Sequence, residues 1–153
     1  MTRLRWDKYF MNISRDVARR STCIRKDRKI GAVVVSPRYE IVGTGYNGNP
    51  RGMKHCSEIG CVREKENIPS GERIETCTGV HAEMNALLQA GPRAVEGTMY
   101  TRFNPCVICS AMLVNAGIKR VVYTDEYPNK KGLELLKEFG IVVEQLKDET
   151  VER

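Results

Sequence analysis

Two short motifs, His-x-Glu and Pro-Cys-x-x-Cys, constrain the fold of this chain more than any other feature. They contribute His81, Cys106 and Cys109, three residues of types that bind Zn²⁺. Three protein ligands leave the fourth tetrahedral position open, as in catalytic zinc sites. A water in that position loses a proton near neutral pH and becomes a nucleophile. Glu83 adds a carboxylate that can stand beside the metal without being a ligand, so the fold must bring both motifs together.

Both motifs lie at the predicted starts of helices. Cys106 and Cys109 share a face of the first turn, and Pro105 suits a helix start because its missing N–H costs little there. The positive ends of the helix dipoles would lower the pKa of the thiols. His81 and Glu83 point in different directions, so one can bind the metal while the other reaches the substrate. A Cys-x-x-Cys pair alone would suit a purely structural zinc knuckle, but its proline and the His-x-Glu motif favour catalysis.

Composition narrows the class of protein. The chain has 153 residues, 41% hydrophobic and 29% charged, which is typical of one soluble globular domain. The sequence has no apolar run near the ~20 residues that a membrane span needs, so no span is expected. No apolar stretch follows the basic residues near the N-terminus, so a secretory signal is not expected either. Six cysteines without a signal favour metal or catalytic use in a reducing cytoplasm. The net charge of +6 suits an anionic partner, either nucleic acid or a phosphorylated nucleotide.

Apolar periodicity predicts both helices and strands. The predicted helices cover residues 6–20, 80–89, 106–116 and 131–139, and the predicted strands cover 30–36, 41–46, 98–102, 119–124 and 141–145. Alternating strands and helices in the second half indicate parallel βαβ units, and the first two strands suit an antiparallel hairpin. We therefore expect an α/β fold, a three-layer α/β/α sandwich around a mixed five-stranded sheet, in a single domain over residues 1–153. The charged residues 147–153 are expected to fray.

Residues 47–79 interrupt this pattern. The segment is rich in glycine and proline and contains three cysteines and a histidine. A loop this long inside a compact domain is usually functional or stapled.

Five stretches of the sequence resemble the deoxycytidylate (dCMP) deaminase family of the cytidine-deaminase superfamily, and the resemblance covers about residues 6–146. These stretches are STC…IGAVVV (21–35), GTGYNGNPRG (43–52), HAEMNAL (81–87), NPCVIC (104–109) and NAGIKRVVY (115–123). The resemblance implies a cytidine-deaminase-like fold and hydrolysis of dCMP to dUMP and ammonia, which supplies thymidylate synthesis. It also implies a homo-oligomer, from dimer to hexamer, activated by dCTP with Mg²⁺ and inhibited by dTTP.

The resemblance also implies the roles of the two motifs. His81, Cys106 and Cys109 should hold a catalytic zinc. Glu83 should accept a proton from the attacking water and return protons to the ring nitrogen and to the leaving ammonia.

Substrate-binding residues are expected around these motifs. Asn47 should hydrogen-bond the sugar hydroxyl, and main-chain N–H groups at the helix starts, with Ala82 among them, should hold the pyrimidine carbonyl. Family members place an arginine before the Val/Ile-Gly-Ala stretch, which favours Arg28 for the 5′-phosphate. The preceding segment looks about two residues longer than usual, so Arg25 stays an alternative. Tyr127 is expected to cover the base or the phosphate. The alternative for each of these residues is an ordinary turn or surface position. Arg51, Lys119 and Arg120 are the other candidate cations for the phosphate.

Four cysteines remain once two are assigned to the catalytic metal. Some family members carry a second, structural zinc on cysteines at positions like Cys23 and Cys56. We expect such a site here, formed by these two with Cys61 and Cys77, or with His55 in place of one thiolate. It would staple the loop at 47–79, and the alternative is a set of buried free thiols.

Two rival functions follow from the same motifs. One is another deaminase of the superfamily, acting on tRNA adenosine or in pterin or riboflavin pathways. The glycine-rich Gly-Tyr-Asn-Gly stretch and the long loop argue against it. The other is a catalytically idle zinc module that binds single-stranded nucleic acid. The chain has no aromatic ladder along a basic strand, and its catalytic glutamate is intact, so we expect no nucleic-acid partner.

Overall fold

One five-stranded sheet organises this protein, whose computed structural model describes residues 2–147. The elements are α1 (Trp6–Ala18), β1 (Gly31–Val35), β2 (Ile41–Tyr46), α2 (Cys56–Ile59), α3 (Val62–Lys65), α4 (Ala82–Ala90), β3 (Thr98–Phe103), α5 (Val107–Asn115), β4 (Arg120–Asp125), α6 (Lys131–Glu138) and β5 (Val142–Gln145). Short 3₁₀ turns lie at Ile74–Thr76 and Gly91–Ala94. The strand order is β2-β1-β3-β4-β5.

Strand directions decide which residues meet. β1 is antiparallel to both neighbours, so that Val33 pairs with Thr44 of β2 and with Tyr100 of β3. β3, β4 and β5 run parallel. β2 and β3 therefore point the same way, and the carboxyl ends of β2, β3 and β4 share one edge with the segment that enters β1. The predicted mixed sheet with an antiparallel first hairpin is confirmed.

Helices cover both faces of the sheet, because successive strand residues point to opposite sides. α1 covers one face, where buried Phe10 and Met11 lie in one cluster with Val33, Val35, Tyr100 and Val122. The helices α4, α5 and α6 cover the other face, in a cluster that includes Val34, Val121, Ala86, Leu113 and Leu136. These clusters confirm the predicted three-layer α/β/α sandwich.

A glycine brings α4 unusually close to the sheet. A Cβ added to Gly45 of β2 would lie 2.3 Å from the carbonyl oxygen of Ala82 and 2.4 Å from the nitrogen of Ala86. Only a residue without a side chain fits at that separation. The position of the first turn of α4 therefore depends on Gly45.

The interrupting segment has more local structure than its sequence predicted. It contains α2, α3 and one of the 3₁₀ turns. Elements of three or four residues are shorter than the window in which apolar periodicity can be recognised. The predicted fraying end lies almost entirely outside the described residues. Within residues 2–147, no helix has both the length and the apolar character that crossing a membrane requires.

An ion pair ties α1 to β4. The guanidinium of Arg120 binds both carboxylate oxygens of Asp7, at 2.7 and 2.8 Å, and also contacts Glu144. The hydroxyl of Tyr100 donates to Asp7 at 2.8 Å. The hydrogen bond from Arg120 holds the pKa of Asp7 below its ordinary value, against the opposing effect of burial. The native state therefore favours the ionised form of Asp7.

We expect Asp7→Asn to lower the free energy of unfolding by about 1–2 kcal/mol at pH 7. Because the folded pKa of Asp7 is depressed, its contribution is present above the unfolded value near 4 and is lost as pH falls through the folded value. Urea unfolding at pH 7 and at pH 3 should show the difference shrinking at the lower pH. Asp16→Asn removes an exposed carboxylate of the same helix and should change little. A difference of equal size at both pH values would contradict this account.

Candidate active site

Most of the predicted site residues lie at the shared edge of β2, β3 and β4. Asn47 follows β2, Cys106 follows β3, and Tyr127 follows β4, while Arg28 lies shortly before β1. His81 is the N-cap residue of α4. Residues from distant parts of the sequence thus meet because their strands end together.

Three side chains form a compact group of potential metal ligands. The ligand atoms of His81, Cys106 and Cys109 all lie within 4.8 Å of one another. The Nδ1 atom of His81 is 3.3 Å from the sulfur of Cys109 and 3.6 Å from that of Cys106. Hydrogen bonds from Cys109 and His81 lower the pKa of Cys106 to about 4 although the thiol is partly buried. A thiolate is thus favoured at this position, as metal binding requires.

These distances fit a zinc ion. Zinc lies about 2.0–2.1 Å from a histidine nitrogen and about 2.3 Å from a cysteine sulfur in tetrahedral sites, so nitrogen and sulfur ligands should be about 3.6 Å apart. The separations around His81 are close to that value. One imidazole and two thiols are also a donor set that zinc prefers. The residues present therefore fit the metal.

Glu83 lies next to this group without belonging to it. Its side chain is buried, and Oε1 accepts a hydrogen bond of 3.1 Å from the hydroxyl of Thr101. Oε2 is 3.9 Å from the sulfur of Cys109. Burial raises the pKa of Glu83, so this carboxylate is a stronger base than an exposed one. The carboxylate is thus available as a base beside the metal position.

Comparison with known families identifies this arrangement. The model of the "Cytidine and deoxycytidylate deaminase zinc-binding region" matches residues 4–125, which include all three ligand positions and Glu83. The chain belongs to this deaminase family. The resemblance seen in the sequence motifs is confirmed, and the family match together with the His-Cys-Cys group supports zinc as the cofactor.

Relatives in the family extend the comparison. The chain is 41% identical over 124 residues to a deoxycytidylate deaminase of Schizosaccharomyces pombe, covering 80% of this chain and 38% of that protein. It is 42% identical over 132 residues to that of Mycobacterium phage D29, covering 82% and 99%. The crystal structure of dCMP deaminase from cyanophage S-TIM5 in apo form superposes with a TM-score of 0.73 at 27% identity, over 95% and 100% of the two chains. The chain spans 38% of the length of the Schizosaccharomyces pombe protein and 44% of the length of a deoxycytidylate deaminase of Saccharomyces cerevisiae.

A cavity opens at the group formed by His81, Cys106 and Cys109, and most of the residues predicted for the site line it. Those that line it are Cys23, Arg25, Arg28, Asn47, Cys56, Cys61, Cys77, His81, Ala82, Glu83, Cys106 and Tyr127. Ala82 is the first residue of α4, where N–H groups lack helical acceptors. Three predicted alternatives lie elsewhere: Arg51 is exposed, Lys119 pairs with Glu96, and Arg120 pairs with Asp7.

Part of the cavity wall is cationic, because Arg25 and Arg28 both line it. Nη2 of Arg28 donates to the hydroxyl oxygen of Ser70 at 2.7 Å, and Nη2 of Arg25 donates to the same oxygen at 3.3 Å. The guanidinium of Arg28 lies 5.0 Å from the centre of the Phe103 ring. Burial, followed by the nearby charge of Arg25, lowers the pKa of Arg28. Two like charges held this close favour an anionic ligand.

Asn47 has a structural role that its sequence position did not reveal. Its Oδ1 accepts hydrogen bonds from the nitrogen of Ile30 at 2.8 Å and from the hydroxyl of Ser21 at 2.6 Å. Its Nδ2 donates to the carbonyl of Arg28 at 2.7 Å. The side chain therefore ties the end of β2 to the segment before β1, and its contacts within residues 2–147 leave one Nδ2 hydrogen for a ligand.

Sequence reasoning missed four residues that shape the site. Asn104 accepts from the nitrogen of Tyr127 and donates to the carbonyls of Tyr127 and Asn129, which fixes the segment after β4. Its position next to the Pro-Cys-x-x-Cys motif was the available signal. The other three are Arg63, Ser70 and Thr101, and they gave no sequence signal of their own. The contacts of Arg63 and Ser70 depend on the path of the loop, and those of Thr101 depend on the strand register.

The remaining four cysteines line the same cavity as His81 and Cys106. Burial raises the pKa of Cys23 and of Cys56, and neighbouring cysteine sulfurs add to both effects. Among residues 2–147, however, they do not form a group as tight as the His-Cys-Cys group. His55 is not part of the cavity wall and instead forms a capping box with Glu58.

A second glycine, Gly132 of α6, allows a close approach to the turn at residues 105–106. A Cβ added to Gly132 of α6 would lie 2.1 Å from the carbonyl oxygen of Pro105 and 2.9 Å from the carbonyl carbon of Cys106. We expect Gly132→Ala to displace this turn, because the clash is with backbone, and to weaken zinc binding about tenfold or more. Competition with a chromogenic chelator measures this. Glu134→Ala, an exposed change in the same helix, is the control, and unchanged zinc affinity in Gly132→Ala would contradict the prediction.

Proposed function

We propose that this chain catalyses hydrolytic deamination of dCMP to dUMP and ammonia and so supplies dUMP for thymidylate synthesis. One observation carries the proposal. A buried carboxylate beside a three-ligand zinc position and a pair of arginines line the same cavity. The carboxylate and the zinc position suit attack on a base, and the arginines suit a 5′-phosphate. Relatives named deoxycytidylate deaminase support this choice of substrate.

His81, Cys106 and Cys109 are the proposed ligands. When bound, zinc supplies a Lewis acid that lowers the pKa of a coordinated water to about 7. Residues of the protein carry out the proton transfers and bind the substrate.

Glu83 is the proposed proton shuttle. Its carboxylate accepts a proton from the attacking water, transfers a proton to the ring nitrogen, and then protonates the leaving amine. Thr101 holds one carboxylate oxygen, so the other is directed to the substrate. Burial of Glu83 excludes competing water and strengthens each of these contacts.

The remaining residues would hold the nucleotide. The main-chain N–H of Ala82 is placed to bind the pyrimidine carbonyl, and the free Nδ2 hydrogen of Asn47 the sugar hydroxyl. Arg28, with Arg25 beside it, binds the phosphate, and Tyr127 covers it from the end of β4. Support comes from their common position in the cavity wall.

A second, structural zinc is proposed on Cys23, Cys56, Cys61 and Cys77. These residues line one cavity, and burial, followed by the neighbouring cysteine sulfurs, raises the pKa of Cys23 and of Cys56. The position of His55 outside the cavity wall favours four thiolates over a site that includes the imidazole. Such a metal would staple the loop at 47–79 within a single domain over residues 1–153.

Assembly and regulation follow the family resemblance. We propose a cytoplasmic homo-oligomer, between a dimer and a hexamer, that is activated by dCTP with Mg²⁺ and inhibited by dTTP. Sedimentation with and without these nucleotides tests the assembly, and ammonia release in their presence tests the regulation.

A substrate panel tests the proposed reaction. Ammonia release should be fastest from dCMP, and slow or absent with cytidine, dCTP and tRNA. Release from tRNA alone would favour an RNA-editing deaminase. Tight binding of single-stranded oligonucleotides without any ammonia release would instead indicate a catalytically idle zinc module.

A further inference from the structure

Arg63 is a buried arginine that the proposed reaction does not use. It is 4% exposed, although arginine is rarely buried without a partner. Its Nη1 donates to the carbonyl of Arg73 at 2.8 Å, and its Nη2 donates to the carbonyls of Pro69 and Glu72, each at 2.7 Å. Within the described part of the chain, its hydrogen-bond acceptors are main-chain oxygens rather than carboxylates.

These contacts fix one turn, at residues 69–73. A guanidinium presents its donors in a rigid planar fork, and three acceptors on that fork determine where the turn runs. Among residues 2–147, the turn lies outside the strands and α-helices, and two of its residues, Gly71 and Arg73, have positive backbone φ angles. Arg63 therefore provides a main support of the turn.

The 69–73 turn also supports Arg25 and Arg28, the cationic part of the cavity wall. Its Ser70 hydroxyl oxygen accepts from both Arg28 and Arg25. Gly71 packs near Tyr127, since a Cβ there would lie 3.6 Å from the phenol oxygen. Arg28 and Arg25 repel each other, so their side chains need an acceptor that keeps both directed to one place.

We propose that Arg63 is a positioning residue that selects nucleoside monophosphates over nucleosides, acting through the 69–73 turn and Ser70. The inference rests on the proposed function, because it concerns how the same site binds the phosphate. Arginines held in place before the ligand arrives lose less conformational entropy on binding. Loss of the turn should therefore weaken phosphate binding and leave the chemistry at Glu83 unchanged.

Steady-state kinetics with dCMP and with deoxycytidine test this. Arg63→Lys keeps the charge but cannot reproduce the planar fork. We expect it to raise KM for dCMP about tenfold or more, with kcat changed less than about threefold, and with kcat/KM for deoxycytidine unchanged. Ser70→Ala should raise the same KM, and the double variant should add little, because both act on one contact. Arg73→Gln removes an exposed, ion-paired guanidinium from the same turn and is the control.

The outcomes separate this inference from the proposed function. A wild-type protein that releases no ammonia from dCMP overturns both. If the wild type is active, two results with Arg63→Lys overturn only the inference. One is a KM for dCMP equal to that of the wild type. The other is an equal loss of kcat/KM for dCMP and for deoxycytidine, which a general loss of structure would cause. If Arg63→Lys does not fold, Ser70→Ala decides, and an unchanged KM for dCMP overturns the proposal.

Discussion

Glu83→Gln should retain zinc and release ammonia from dCMP about 10³-fold more slowly than the wild type. Glutamine has nearly the same size and keeps an oxygen for the hydroxyl of Thr101, so the site should stay folded. An amide cannot accept a proton from water or pass one to the leaving amine. The loss should therefore appear in kcat, while KM for dCMP changes little.

Zinc content and turnover must be measured on the same preparation of Glu83→Gln. Glu138→Gln, at an exposed position of α6, is the matched control and should behave as the wild type. Loss of zinc from Glu83→Gln would show that the carboxylate is a ligand. Turnover within tenfold of the wild type would show that another group carries the protons.

Cys106→Ala should remove the catalytic metal and reduce ammonia release by at least about 10³-fold, since the Lewis acid contributes several kcal/mol to the barrier. Cys106 is the N-cap of α5, and its sulfur accepts from the nitrogen of Cys109 at 3.4 Å. The substitution therefore also removes a cap worth about 1 kcal/mol, and a small decrease in thermal stability should accompany the loss of metal.

Counting zinc per chain distinguishes the two proposed sites. The wild type should hold two ions, and Cys106→Ala should hold one. Cys61→Ala is the complementary variant and should lose the other ion. A wild-type count of one would eliminate the structural zinc and leave the catalytic site intact. Full zinc occupancy in Cys106→Ala would contradict the catalytic assignment.

Much of the fold could be predicted because its signals are local. Apolar periodicity located α1 with only its end misplaced, at residue 20 instead of Ala18. The turn before Ile41 and the alternation of strands with helices gave the antiparallel hairpin and the parallel half of the sheet. Element boundaries differ by one or two residues, because caps rather than apolar residues determine where a helix starts.

The motif residues of the site could be located from the sequence, and the structure brings His81, Glu83, Cys106 and Cys109 close together. The supporting residues could not. Arg63 and Ser70 act through contacts that depend on the path of the 69–73 turn. The hydrogen bonds of Asn47 depend on which strand ends lie side by side. Spacing along the sequence does not encode either arrangement.

Diffraction from zinc-loaded crystals, with data collected at the zinc absorption edge, tests the central claim most directly. We expect an anomalous peak bound by Nδ1 of His81 and by the sulfurs of Cys106 and Cys109. The carboxylate of Glu83 should be nearby but not coordinated, and the fourth position should be free of protein ligands. Coordination of the metal by Glu83, or by any fourth side chain, would contradict a hydrolytic site of this kind.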